Sequence, residues 1–169
     1  MVPKVNRVSV LTVPVTITIA KQSEKGILRP LLADYLKELG SYGDVDANYP
    51  FFEAYWREPD VRWPYFLFGG TTLIGFAFVR APAERNLDFS LAEFFIRPHA
   101  RRNHYGIGAV TAIMLAHPGK WELAVMKTNT VAQRFWPRAI AAAGAQEVRR
   151  FDNLEVTTYR FTVQSARTN

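Results

Sequence analysis

The 169-residue sequence contains no cysteine. That absence excludes disulfides, thiolate metal sites and a cysteine nucleophile, and it agrees with a reducing compartment. Histidine is scarce: His99, His104 and His117 are the only three. No partner set stands around them at ligand spacing, so no metal is expected. No apolar run approaches the roughly 20 residues of a membrane-spanning helix. Lys4 and Arg7 precede an apolar stretch, residues 8–15, but Pro14 interrupts it and no small-residue cleavage site follows. An export signal is therefore rejected, and a cytoplasmic protein without a membrane partner is expected. Repeats, low-complexity tracts and linkers are missing too. This implies a single domain over residues 1–169, with 1–12 as a loosely ordered extension. Acidic residues, 15 against 21 Lys and Arg, leave a net charge of +6. Such a balance favours a phosphorylated cofactor, nucleic acid or an acidic surface, and it equally serves as a solvated face.

What is present suits a packed core: 49% of residues are hydrophobic and 14% aromatic. Val13, Val15, Ile17 and Ile19 alternate with Thr16 and Thr18, as a strand over 13–20 requires. Leu28, Leu32, Tyr35, Leu36 and Leu39 recur at helical spacing and Gly40 ends the run; Pro30 implies a helix that begins there or is kinked. A short helix is expected over 51–57. Tyr65–Phe68, Gly69-Gly70 and Leu73–Arg80 read as a hairpin, and residues 87–96 as a further strand. Helices follow over 106–116 and 129–143, with a short strand at 121–125 between them. Strands over 146–151 and 154–163 finish the chain. The fold class is α/β (α+β).

The most informative stretch is Phe94-Phe95-Ile96-Arg97-Pro98-His99-Ala100-Arg101-Arg102-Asn103-His104-Tyr105-Gly106-Ile107-Gly108. A strand runs into a basic loop, and a glycine pair opens a helix. First-turn amides of a helix have no intrahelical acceptor, and the helix dipole adds partial positive charge. A pyrophosphate fits there, with Arg101 and Arg102 supplying charge-assisted hydrogen bonds. The same glycines serve equally well as a small-residue packing face. A dinucleotide fold is disfavoured, because the third glycine and the acidic residue after the next strand are missing.

This stretch resembles the acetyl-coenzyme A signature of the GCN5-related N-acetyltransferases (GNATs): Arg or Gln, two residues, Gly, one residue, Gly or Ala. Ala92–Phe95, Pro118–Leu123, Asn129–Trp136, Leu28–Tyr35, Tyr55–Pro59 and Gly75–Phe78 resemble segments of a bacterial branch known mainly as predicted acetyltransferases. The resemblance implies a twisted, mostly antiparallel mixed sheet of six to seven strands with about four helices. It also implies acetyl-coenzyme A as co-substrate. Phe94, Phe95 and Ile96 would flank the pantetheine arm, pairing it as an added strand. Amides from Arg102 through Asn103, His104, Tyr105, Gly106 and Ile107 to Gly108 would hold the pyrophosphate. Asn129 and Phe135 would also meet the coenzyme, although Asn129 equally reads as a helix N-cap.

The chain departs from the pattern in three places. Asn103 stands where Arg or Gln is usual, with Arg102 one residue early. Trp136 replaces a tyrosine that many members use as general acid, and indole gives up no proton at useful pH. Pro137 follows inside the same helix. Glu93, on the strand that lines the family's active site, is the first candidate for general base, with a structural role as its competitor. Tyr105 and His104 are fallback acids, with coverage of the coenzyme as their competing role. Tyr49, Phe51, Phe52, Tyr55, Trp56, Trp63, Tyr65 and Phe66 either line an acceptor site or form core. Asp44, Asp46 and Glu53 could attract an amine. The activity implied is acetyl transfer to a primary amine on a small molecule or peptide. Two alternatives stand beside it: a non-catalytic acyl-coenzyme A sensor, and an enzyme acting on aminoacyl-tRNA through Arg149, Arg150, Arg160 and Arg167. The final strands could pair across a homodimer.

Overall fold

The computed structural model describes residues 13–166; residues 1–12, with most of the rejected export segment, and Arg167 lie outside the described residues. In chain order the elements are β1 (Val15–Ile19), α1 (Lys25–Leu39), α2 (Ala54–Arg57), β2 (Arg62–Gly69), β3 (Thr72–Arg80), β4 (Phe89–Ile96), α3 (Tyr105–Ala116), β5 (Gly119–Met126), α4 (Thr130–Ala142), β6 (Gln146–Asp152) and β7 (Val156–Val163). The strands form one seven-stranded sheet in the order β1-β2-β3-β4-β5-β7-β6. Every neighbouring pair is antiparallel except β4 and β5. No helix among the described residues is long and apolar enough to cross a membrane.

Each face of the sheet carries its own core. On one face Leu28, Leu31, Leu32 and Leu36 of α1, with Phe52 and Tyr55, pack on Phe66, Phe76, Phe78 and Phe95. Tyr55 stacks on Phe78 with ring centroids 4.1 Å apart. On the other face α3 and α4 cover Leu67, Ala77, Val79, Leu91, Trp121 and Tyr159. Each such large apolar side chain contributes about 1.5–3 kcal/mol on burial. Two polar contacts are built into this second core. Tyr65 Oη lies 2.6 Å from His117 Nε2, and Trp121 Nε1 donates to the His117 carbonyl at 2.9 Å.

α1 begins at Lys25, so Pro30 lies inside the helix and does not start it, and α4 runs through Pro137 as one element, as the helix expected over 129–143 requires. In each case burial of one apolar face outweighs the single backbone hydrogen bond lost. β2 starts at Arg62 and so includes Pro64. The Pro64 carbonyl accepts from Ala20 N at 2.8 Å. Its missing N–H falls on the same side, just past the last β1 pair, Ile19 with Tyr65, where it interrupts no ladder.

Candidate active site

Three local features converge between β4, β5 and the start of α3. The first is a fork. β5 pairs with β7 from Gly119 to Met126, but with β4 only through Phe89–Trp121 and Ser90–Glu122. Beyond Ser90 the strands part, and the β4 edge from Leu91 to Ile96 faces an opening.

The second is a bulge in β4. Phe78 pairs with Glu93 and Val79 with Leu91, leaving Ala92 as the extra residue. A bulge bends its strand and re-aims side chains. Here it puts Ala92 and Glu93 consecutively on the α1 face; in unbroken register Glu93 would point beneath α3 and α4. Glu93 instead enters a cleft of about 700 Å³, whose lining includes Leu36, Asp46, Tyr49, Phe51, Tyr55 and Arg80. Burial raises the Glu93 pKa above its ordinary value, and the hydroxyls of Tyr35 and Tyr49 partly oppose this by favouring the carboxylate. Burial, with the nearby Glu93 charge, pushes both tyrosines well above the ordinary phenol value, so they remain donors.

The third is the β4–α3 loop. Arg102 and His104 adopt left-handed backbone, with φ of 73° and 59°. Among the described residues, none of the amides of 102–107 donates to a backbone carbonyl or side chain; the first helical bond is Gly108 N to His104 O, at 3.2 Å. Consecutive N–H groups without a protein acceptor at a helix start are, in general, attractive to anions. The left-handed residues carry strain on the order of 1–3 kcal/mol each, a cost that persists where the surroundings enforce it.

The glycine pair itself has a packing role. A Cβ on Gly106 would lie 3.0 Å from the Phe135 ring, and one on Gly108 would lie 3.2 Å from Val15. Their absence seats α3 against α4 and β1, while the free amides belong to the loop and first turn.

The remaining sequence candidates separate as follows. Phe94 stacks on Phe135 at 6.0 Å and meets Trp136 edge-on at 5.3 Å, below the fork. Trp136 is thus a buried packing residue. Phe95 and Ile96 are buried on opposite faces of the sheet, and Ile107 packs under α3. Arg101 is committed elsewhere: Nε donates to the Ile96 carbonyl at 2.9 Å, and Nη2 pairs with Glu38 of α1 at 2.7 Å. Arg102, Asn103 and His104 are exposed. Asn129 caps α4, its Oδ1 accepting from Ala132 N at 3.1 Å. The Tyr105 ring lies on Gly69, where an added Cβ would stand 2.9 Å from it, so the structure does not bring Tyr105 to Glu93. Asp46 lines the cleft; Glu53 does not, and is held by Lys25 and Arg29 of α1. The sequence reading missed Tyr35, Ser90 and Arg80, which join Glu93 only through the bulged register.

No protein-family model and no curated protein matches the sequence. Solved structures do match. An acetyltransferase from Thermus thermophilus superposes with a TM-score of 0.65 at 14% identity, over 90% of this chain and 99% of that one. A GNAT-family acetyltransferase from Staphylococcus aureus gives 0.62 at 12% identity, over 89% and 99%. A ribosomal L7/L12 alpha-N-protein acetyltransferase, solved with coenzyme A, gives 0.67 at 10% identity, over 90% and 96%. The chain has the fold of the GCN5-related N-acetyltransferases.

Proposed function

We propose that this protein transfers the acetyl group of acetyl-coenzyme A to a primary amine. One observation carries the reading: the open β4 edge leads from the unpaired amides at the head of α3 to the half-buried carboxylate of Glu93. In this reading the amides of 102–107, with Arg102, hold the pyrophosphate. The pantetheine arm lies along Glu93–Ile96 as an added strand, flanked by Phe94 and Phe135. The thioester then reaches the bulge, where a backbone N–H freed from the ladder polarises its carbonyl.

The acceptor enters from the α1 face. Glu93 takes a proton from the ammonium; the neutral nitrogen attacks the thioester carbon, the C–N bond forms and the C–S bond breaks. As the amide forms, the nitrogen gives its second proton to the departing sulfur, which leaves as the thiol; expulsion without a protein acid is accessible because thiol pKa values lie near about 8.5. No tyrosine acid is required, in keeping with Trp136 at the usual position. Alignment of the two reactants supplies up to about 7–11 kcal/mol of the barrier reduction.

Calorimetry with acetyl-coenzyme A tests the coenzyme site, comparing the natural protein with Arg102→Glu. Arg102 is exposed, so this change sets a carboxylate against the phosphates without disturbing the core. Saturable binding, weakened about tenfold or more by Arg102→Glu, is expected. A folded natural protein that binds no coenzyme would end the proposal. Tight binding without thiol release in the presence of any amine would instead favour the sensor.

A further inference from the structure

The far end of the Glu93 cleft is basic. Arg62 and Arg80 are direct cross-strand partners on β2 and β3, and both line the cleft. Like charges opposite one another on a sheet destabilise it unless something neutralises them. Arg62 is neutralised by Glu58, at 2.6 Å. Arg80, half-buried, makes no ion pair and no side-chain hydrogen bond among the described residues. One donor beside it is equally unused. Ser90, directly opposite Arg80 on β4, is buried and its hydroxyl bonds to nothing among the described residues. Tyr55, only 1% exposed and also lining this cleft, sets its hydroxyl beside Tyr49 and Arg62. A guanidinium and a serine hydroxyl, both without acceptors, thus share a cavity with the Glu93 carboxylate.

We propose that Arg80 is a specificity residue, and that the acceptor is a small amine carrying an oxyanion, carboxylate or phosphate, which Arg80 holds while the amine lies at Glu93. This rests on the acetyltransferase reading of the same cleft. The register sets the spacing. Glu93 pairs with Phe78, and Arg80 lies two residues further along β3. In a regular ladder the Cβ positions of such diagonal neighbours are about 7–8 Å apart, and both side chains line the same cleft. That span suits an amino acid or a phosphorylated amino alcohol, whose ammonium and oxyanion are separated by a few bonds. Asp46 also lines the cleft and adds negative charge that attracts the ammonium. Glu122, which also lines the cleft, is already taken by Arg160 Nε at 2.6 Å and leaves the charge of Arg80 uncompensated.

Matched acceptors read the subsite. Glycine, β-alanine and γ-aminobutyrate are compared with their amides, and O-phosphoethanolamine with ethanolamine, by thiol release from acetyl-coenzyme A. The expected result is a preference of about 10- to 100-fold in kcat/KM for one anionic set, expressed mainly in KM. The carboxylate and phosphate arms show which oxyanion fits. Arg80→Gln should collapse that preference toward unity without lowering the melting temperature, Arg80→Lys should restore part of it, and Arg80→Glu should turn it toward the neutral member. Amides acetylated as well as acids overturn the subsite and leave the enzyme reading intact. Failure of the coenzyme complex to be saturated by any anionic amine, well above a KM of about 1 mM, overturns the subsite too. Failure to bind coenzyme, seen separately by calorimetry, removes both.

Discussion

Glu93 shows how a single side chain acquires a role from its surroundings. A carboxylate on a strand is unremarkable in sequence, and the structural reading outweighs the catalytic one there. The bulge at Ala92 resolves the direction in which it points, and burial raises its pKa. Two outcomes follow at this scale. Activity should rise with pH through a value above the ordinary 4.5 of a glutamate, as Glu93 ionises. Glu93→Gln should remove that limb of the profile and lower kcat by about 10²- to 10⁴-fold. Stability moves the other way. A folded-state pKa above the unfolded one means the native state binds more protons within that window. This group's contribution is therefore full below the unfolded pKa and is lost as pH rises through the folded value. At neutral pH the buried charge is a burden, so Glu93→Gln should melt higher than the natural protein. Scanning fluorimetry beside a pH–rate profile checks both; a variant that melts lower and keeps its activity would show Glu93 to be structural.

Among the elements, β3 and β4 carry the strictest local requirement. A Cβ on Gly75 would stand 1.9 Å from the Phe95 carbonyl oxygen, a backbone atom with nowhere to go. Gly75→Ala must push β4 away from β3 at the open edge of the fork. Overpacking of this kind costs about 1–3 kcal/mol, which in a domain of this size lowers the melting midpoint by roughly 2–4 °C per kcal/mol. Coenzyme affinity should fall as well, because the displaced segment is the one proposed to pair the pantetheine arm. Gly26, early in α1, is the control, since an added Cβ there would meet no atom within 4 Å. Gly26→Ala should be neutral or stabilising by up to about 1 kcal/mol. Equal loss in both variants would count against a special role for the β3–β4 contact. The sequence revealed the type and order of the elements, because period-2 and period-3.6 patterns are set by which face is buried. It did not reveal the bulge, which inverts the period by one residue and can be located only against the partner strand. That is why Glu93 was legible as a candidate while Arg80, Ser90 and Tyr35 were not. The glycine pair was legible as a motif, but its packing role was not: it seats α3 against Phe135 and Val15, while the amides proposed to bind the phosphates belong to the loop and first turn.

At the scale of the molecule, the sheet consists of two well-paired parts, β1 to β4 and β5 to β7, joined by two residue pairs at Phe89 and Ser90. Such a junction is the natural place for local opening, since few backbone hydrogen bonds resist it. A ligand that adds a strand to the open β4 edge would hold both parts at once and bind the folded state alone. At a coenzyme concentration of about 100 times Kd this linkage adds about 2.7 kcal/mol, or roughly 5–10 °C in melting midpoint at the conversion given above. The stabilisation should also have an address. Hydrogen exchange should slow at the β4 amides facing the fork between Glu93 and Ile96 and at the loop amides of 102–107, while β1 and the β6 edge strand respond least. Free coenzyme A should protect the same segments, because pyrophosphate and pantetheine make the contacts and the acetyl group is only the part transferred. Uniform protection with no centre at the fork would mean that the coenzyme binds elsewhere. Protection confined to 102–107 would mean that the phosphates dock while the arm stays out of the fork, an arrangement that could hold the coenzyme but could not present its thioester to Glu93.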